Sequence, residues 1–138
     1  MKKTYLKWKD IDKATDNLAK QIIKSKLEID VIHGCPRGGL IPAVMLSHKL
    51  GIPFLKEDDG EDPMYKNILI VDDICDTGET LSQYSEFPSV LTATLHYKPT
   101  AMFKPDFYYN LAKEDVWYCY PWENKDSQTI PDYATERK

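Results

Sequence analysis

Asp72, Asp73 and Asp76 stand close together and are followed at once by Thr77, Gly78, Glu79 and Thr80. Carboxylate oxygens are hard acceptors, suited to a metal ion or to sugar hydroxyls. Gly78 permits a tight turn. The backbone N–H groups of Thr77, Glu79 and Thr80, with two hydroxyls, open a helix and form a nest for a phosphate. A plain strand–helix turn capped by Asp or Thr would need only one of these residues. Three carboxylates beside the nest point to a substrate carrying phosphate together with a metal or hydroxyl groups. A second loop, G-C-P-R-G-G at residues 34–39, offers an anion site of another kind. The Arg37 guanidinium can fork onto an oxyanion, and Gly38 and Gly39 let backbone approach closely. Alone, R-G-G is as often a backbone device. Neither loop has the G-K-[ST] ending of a Walker loop, and no G-x-G-x-x-G occurs.

Both loops need strands to aim them. The run I-L-I-V at 68–71 reads as a parallel strand buried on both faces, ending where the acids begin. Residues 28–33 predict a strand leading into G-C-P-R-G-G, and 52–55 a short one. Residues 90–97 alternate as a further strand, while 107–109 and 116–120 are aromatic-rich and extended. Apolar residues at Ile11, Ala14, Leu18, Ile22 and Ile23 predict a helix over 10–24 with Asp10 as its N-cap. Pro42 and Gly51 bracket a second helix over 40–50. A third follows Thr80 and runs to about Pro88. Residues 4–8 form an edge strand or an aromatic lid. Strands alternating with helices predict an α/β protein with an open, mostly parallel twisted sheet flanked by helices. Ligands bind such sheets at the carboxyl ends of the strands, where these loops converge. Residues 1–123 read as one domain, and 124–138 as a polar tail.

The 138 residues carry 18 basic and 22 acidic side chains, a formal charge of −4. That balance gives no electrostatic footprint for nucleic acid. Cys35, Cys75 and Cys119 are far apart and odd in number, which argues against a zinc site or disulfide framework and for a reducing, cytoplasmic setting. No stretch approaches membrane-spanning length.

Together, I-L-I-V-D-D-I-C-D-T-G-E-T-L and the upstream P-R-G-G resemble the phosphoribosyl pyrophosphate (PRPP) signature and pyrophosphate loop of type I phosphoribosyltransferases. Within that family the chain is most similar to small bacterial xanthine–guanine enzymes, from T-Y-L-K-W-K-D through R-G-G-L-I-P, L-G-I-P and H-Y-K-P to V-W-Y-C-Y-P-W-E at 116–123. The resemblance implies purine salvage: transfer of phosphoribosyl from PRPP to N9 of guanine, xanthine or hypoxanthine, with release of pyrophosphate. It implies that Thr77, Gly78, Glu79 and Thr80 hold the 5′-phosphate. Asp72 and Asp73 would hold the ribose hydroxyls and Mg²⁺; Arg37, Gly38 and Gly39 would hold the pyrophosphate. Lys98 would donate to the purine O6, Trp117 stack on the ring, Tyr118 read its Watson–Crick edge through backbone, and Glu123 approach the 2-position. Asp76 would act at N7 as general base. A cis Pro36–Arg37 bond and a homodimer or homotetramer are implied too, the latter in keeping with a self-association surface of exposed aromatics around Tyr108, Tyr109, Tyr118 and Tyr120.

One segment departs from the family pattern. A long loop normally closes over the site between the second and third core strands. Here residues 55–67 carry five acids at 57–62, lack the usual Ser-Tyr pair and offer only Tyr65 in its place. The expectation is a much reduced hood and a more open site, with slower catalysis or cover from another subunit. A non-catalytic regulator binding PRPP or nucleotide on the same fold is the alternative, although this acidic chain lacks a basic face or an added winged helix. A receiver-like phosphoacceptor domain ranks last, since D-T-G-x-T and P-R-G-G do not belong to it.

Overall fold

A computed structural model describes residues 1–55, 67–84, 87, 89–124, 131 and 134. The acidic run at 57–62, Tyr65 and most of the 124–138 tail lie outside the described residues. The elements in chain order are β1 (Lys2–Tyr5), α1 (Trp8–Ser25), β2 (Val31–Gly34), α2 (Leu40–Leu50), β3 (Ile68–Cys75), α3 (Glu79–Ser82), β4 (Val90–Tyr97), β5 (Phe107–Leu111) and β6 (Val116–Cys119). Four strands form an all-parallel sheet in the order β2-β3-β4-β5, and β1 pairs with β6 in a separate parallel ribbon. The architecture is the expected open parallel α/β sheet.

Strand β3 is buried on both faces, which explains its unbroken apolar run. Leu69 and Val71 pack with Ile11, Leu18 and Leu46 of α1 and α2. Ile70 faces the other way, with Cys35, Cys75 and Leu81 of α3. Period-two alternation thus feeds two cores at once. Both sheet-covering helices end on clear signals. The N–H of Gly51 donates to Ser47 O at the end of α2, and that of Lys26 to Ile23 O beyond α1.

The departures from expectation have local causes. Asp10 is not the N-cap of α1. The helix starts earlier, and the Asp10 carboxylate instead accepts from the N–H of Lys7 (2.8 Å), the second half of a capping box. Ile23 is 66% exposed; Thr15 and Ala19 complete the buried face. Residues 52–55 give only an isolated bridge, Phe54 to Ile32. The third helix is a single turn ending at Ser82, after which Tyr84 N donates to Leu81 O and Phe87 N to Tyr84 O. Phe87 precedes Pro88, and that position disfavours helical backbone. None of Tyr108, Tyr109, Tyr118 and Tyr120 is exposed, and Tyr120 is fully buried, so these aromatics do not form an open self-association surface. Among the described residues no helix is long and apolar enough to cross a membrane.

The departure that matters most is in β3. It does not stop at Val71 but runs on through both acids to Cys75, with Asp72 opposite Thr94 and Ile74 opposite His96. Asp is a poor strand former, yet the ladder to the eight-residue β4 outweighs that preference. Asp72 and Asp73 are therefore held by a sheet, not carried on a loop.

Candidate functional site

A cavity of about 1000 Å³ opens at the carboxyl edge of the sheet. Arg37, Gly38, Asp72, Asp73, Asp76, Thr80, Lys98, Trp117, Tyr118 and Glu123 all line it. Ten of the residues singled out in the sequence thus meet on one surface, although they come from four separate stretches of chain. Gly39, Thr77, Gly78 and Glu79 are not among its lining residues: the two glycines are buried, and Thr77 and Glu79 are exposed.

The loop after β2 is pinned to β3. Cys35 N donates to Val71 O (2.8 Å), and Gly39 N returns to Cys35 O (2.8 Å). The Pro36–Arg37 bond within it is cis. Gly39 is buried because the loop lies directly on β3: a Cβ there would meet Val71 O at 2.3 Å and Asp72 Cα at 2.8 Å. A Cβ on Gly38 would instead meet the Asp73 carboxylate, with Oδ2 at 2.0 Å. The two glycines therefore make room for different things, backbone in one case and the Asp73 carboxylate in the other.

The Asp72 and Asp73 carboxylates each accept from the backbone N–H of the next residue. Asp73 N donates to Asp72 Oδ1 (2.9 Å), and Ile74 N donates to Asp73 Oδ1 (2.7 Å). Burial, reinforced by the nearby Glu123 charge, pushes the Asp73 carboxyl up to about 6. Cys35 and Cys75 are pushed up to about 12 and about 11 by burial and by the Asp72 charge. Both thiols stay protonated at neutral pH and are not nucleophiles.

Beyond β3 the chain turns at Gly78, whose φ of 90° lies in the left-handed region and whose missing Cβ leaves room for Phe103 N. Thr77 Oγ1 accepts from Glu79 N (3.2 Å), while Met102 N binds Thr77 O (2.8 Å). Asp76 projects from this turn toward the end of β4, where its Oδ1 pairs with Lys98 Nζ at 2.9 Å. Lys98 is itself fixed by its backbone N–H, which donates to Cys75 O (2.9 Å).

The opposite wall is built from β6 and the turn after it. Trp117 is 41% exposed. Tyr118 stacks on His96 with ring centroids 4.3 Å apart. Glu123 Oε1 accepts from Tyr120 N (2.7 Å), closing the turn. Tyr120 and Trp122 also line the cavity, their rings stacked at 5.1 Å. Sequence reasoning did not single out Tyr120, Trp122 or His96 as site residues. The alternation of Tyr118 and Tyr120 was the available signal, since both rings contact His96.

His96 supplies a pH test. Burial pushes its imidazole from 6.5 down to about 4. Between those values the unfolded chain binds more protons than the folded one, so stability falls as pH drops. Asp73 acts oppositely. Its folded carboxyl at about 6 stands above the ordinary 3.8, so its contribution declines as pH rises through that window. The two partly cancel, and His96→Phe removes one of them. Between pH 7.5 and pH 5, wild type should lose on the order of 2 kcal/mol more unfolding free energy than the variant. Urea melts at both pH values check this, and parallel pH slopes would refute it.

An open parallel α/β sheet with a cavity at the carboxyl ends of its strands is an arrangement suited to holding a small molecule. No family model matches the chain. Individual relatives do. A xanthine-guanine phosphoribosyltransferase of Desulfotalea psychrophila is 24% identical over 99% of this chain and 97% of that protein. The structure of a purine phosphoribosyltransferase from Pyrococcus horikoshii matches with 33% identity, full coverage of both chains and a TM-score of 0.74. A hypothetical protein from Neisseria gonorrhoeae with bound ppGpp matches at 25% identity, 93% of each chain and a TM-score of 0.71. The chain belongs to the type I phosphoribosyltransferase family.

Proposed function

We propose that the protein is a purine-salvage enzyme that transfers the phosphoribosyl group of PRPP to N9 of guanine, xanthine or hypoxanthine and releases pyrophosphate. The observation that carries this reading is the Asp76–Lys98 pair, set at 2.9 Å in the same cavity as Asp72, Asp73 and Arg37. N7 and O6 are neighbouring atoms on one edge of a 6-oxopurine. A carboxylate and an ammonium held side by side match that edge when N7 carries the proton: the carboxylate accepts from N7–H and the ammonium donates to O6.

As N9 forms its bond to the anomeric carbon, the bond to pyrophosphate breaks and the ribose gains oxocarbenium character. Arg37 and the backbone of the 36–39 loop receive the negative charge on the leaving group. Gly39 serves by letting that loop lie on β3. Asp72 and Asp73 accept from the ribose hydroxyls, and the turn at Thr77, Gly78, Glu79 and Thr80 takes the 5′-phosphate. Lys98 donates to O6, Trp117 stacks on the ring, Tyr118 backbone reads the Watson–Crick edge and Glu123 faces the 2-position. Asp76 accepts the purine proton or hydrogen-bonds N7–H as charge develops.

The donor set fits Mg²⁺. Asp72 and Asp73 supply hard oxygens, and a carboxyl pushed up by burial gains from a neighbouring cation. Among the described residues no three His, Cys, Asp or Glu side chains form a metal cage, and Mg²⁺ on a diphosphate needs only one or two carboxylates. When bound, the ion would neutralise charge on the diphosphate.

In this reading residues 1–123 act as one domain, with 124–138 a polar tail, in a cytoplasmic homodimer or homotetramer. The test is purified protein with Mg²⁺, PRPP and each base separately. Nucleotide should form with at least one of them, and EDTA should abolish it. A second reading, a non-catalytic PRPP or nucleotide sensor, is favoured by the ppGpp in the Neisseria gonorrhoeae neighbour. Tight PRPP binding with no nucleotide formed from any base would select it.

A further inference from the structure

Tyr120 is only 3% exposed, and its hydroxyl and backbone together bond to three separate parts of the site. Its hydroxyl donates to the backbone carbonyl of Asp73 on β3 (3.2 Å). It also lies 2.9 Å from Nδ1 of His96 on β4. Its own backbone is closed into the turn that carries Glu123, through Tyr120 N to Glu123 Oε1 (2.7 Å) and Glu123 N to Tyr120 O (3.0 Å).

Proton counting sets the direction of this chain. A phenol has one proton, and here it goes to a carbonyl that can only accept. The contact with His96 is then satisfied only if Nδ1 carries the imidazole proton and donates to the phenol oxygen. Burial beside Asp73, Asp72 and Glu123 holds the phenol well above its ordinary value, so the hydroxyl remains a donor across the neutral range. Tyr120 joins no strand of the four-stranded sheet, because β6 pairs with β1 alone. The hydroxyl ties the 116–123 segment to the acidic end of β3 through Asp73 and to β4 through His96.

We propose that Tyr120, oriented by His96, is a positioning residue that sets the spacing between the purine-holding segment 116–123 and the ribose-holding carboxylates Asp72 and Asp73. This rests on the reading of the cavity as a purine and sugar-phosphate site. Its consequence is selective. A ligand that reaches both ends at once depends on the spacing, whereas a ligand confined to one end does not.

Calorimetric titration with GMP, guanine and ribose 5-phosphate tests it. Tyr120→Phe should weaken GMP by about three- to tenfold, the effect of one or two hydrogen bonds, while guanine and ribose 5-phosphate stay within about twofold. His96→Phe leaves the phenol in place but without its orienting donor, and should shift GMP in the same direction. His96→Gln, whose amide can donate to the phenol, should restore it. Equal losses for all three ligands would mark a merely structural residue and overturn the inference, as would unchanged GMP binding in both Tyr120→Phe and His96→Phe. Wild-type protein that binds neither GMP nor ribose 5-phosphate would instead refute the site reading and the inference with it. Binding without transfer would refute only the enzyme assignment.

Discussion

Replacing Asp76 with asparagine should lower kcat for phosphoribosyl transfer by about a hundred- to a thousandfold, while the Kd for PRPP stays within about threefold. The side chain keeps its size and can still hydrogen-bond. What disappears is the ability to hold a proton, or a full negative charge, beside N7. Asp76 sits past the end of β3, after the two carboxylates that the sheet holds, and reaches Lys98 rather than the pair. Its exposure also suits the role: the carboxylate side chain is 51% exposed and the Lys98 side chain only 13%. The ammonium is held in place while the carboxylate faces the cavity. Lys98→Met supplies the control, because in the proposed reading it removes the donor to O6 and leaves the base. That variant should raise KM for the purine more than it lowers kcat. Should Asp76→Asn lose PRPP affinity in proportion to turnover, Asp76 belongs to the sugar end, and the division of labour among the three acids fails.

Much of this arrangement was legible before any coordinates, and the legible parts share a cause. Strand β4 and helix α2 appear with the expected bounds because their signals are local: period-two alternation in one, Pro42 and Gly51 in the other. The convergence of the two loops followed from strand-end topology alone. What was not legible depends on contacts between distant segments. Nothing near Asp72 announces that β3 continues through it, because the reason lies in Thr94 and His96 across the ladder. Tyr120 looked like an exposed aromatic in an aromatic stretch. Its burial depends on β6 leaving the main sheet to pair with β1, which brings residue 120 against residues 73 and 96. Asp10 misled for a smaller reason, since an acid three residues into a helix looks like a cap when Lys7 is not considered.

Alanine at Gly38 and at Gly39 should produce opposite phenotypes, although the residues are adjacent and the substitution is the same. At Gly39 the new Cβ meets backbone on every side: Val71 O at 2.3 Å, Asp72 Cα and Cys35 O at 2.8 Å. None of these atoms can rotate away. The loop would have to lift from β3, giving up the Cys35 N to Val71 O bond and uncovering Val71, which is fully buried. A loss of about 3 kcal/mol or more is the expected cost of such overpacking combined with a lost buried hydrogen bond. Urea denaturation should therefore show Gly39→Ala as a folding lesion. At Gly38 the new Cβ meets the Asp73 carboxylate, at 2.0 Å from Oδ2 and 2.6 Å from Cγ. A side chain can turn aside where backbone cannot, so the midpoint should move little. The cost falls on the site, because Asp73 must leave the position in which Ile74 N holds its Oδ1. Transfer should fall by about ten- to a hundredfold, with Mg²⁺–PRPP affinity weakened and guanine affinity preserved, since a misplaced group at the reacting end costs about that much. If Gly38→Ala instead unfolds the protein as Gly39→Ala does, Asp73 is too firmly fixed to move, and the room beneath that glycine is structural rather than functional.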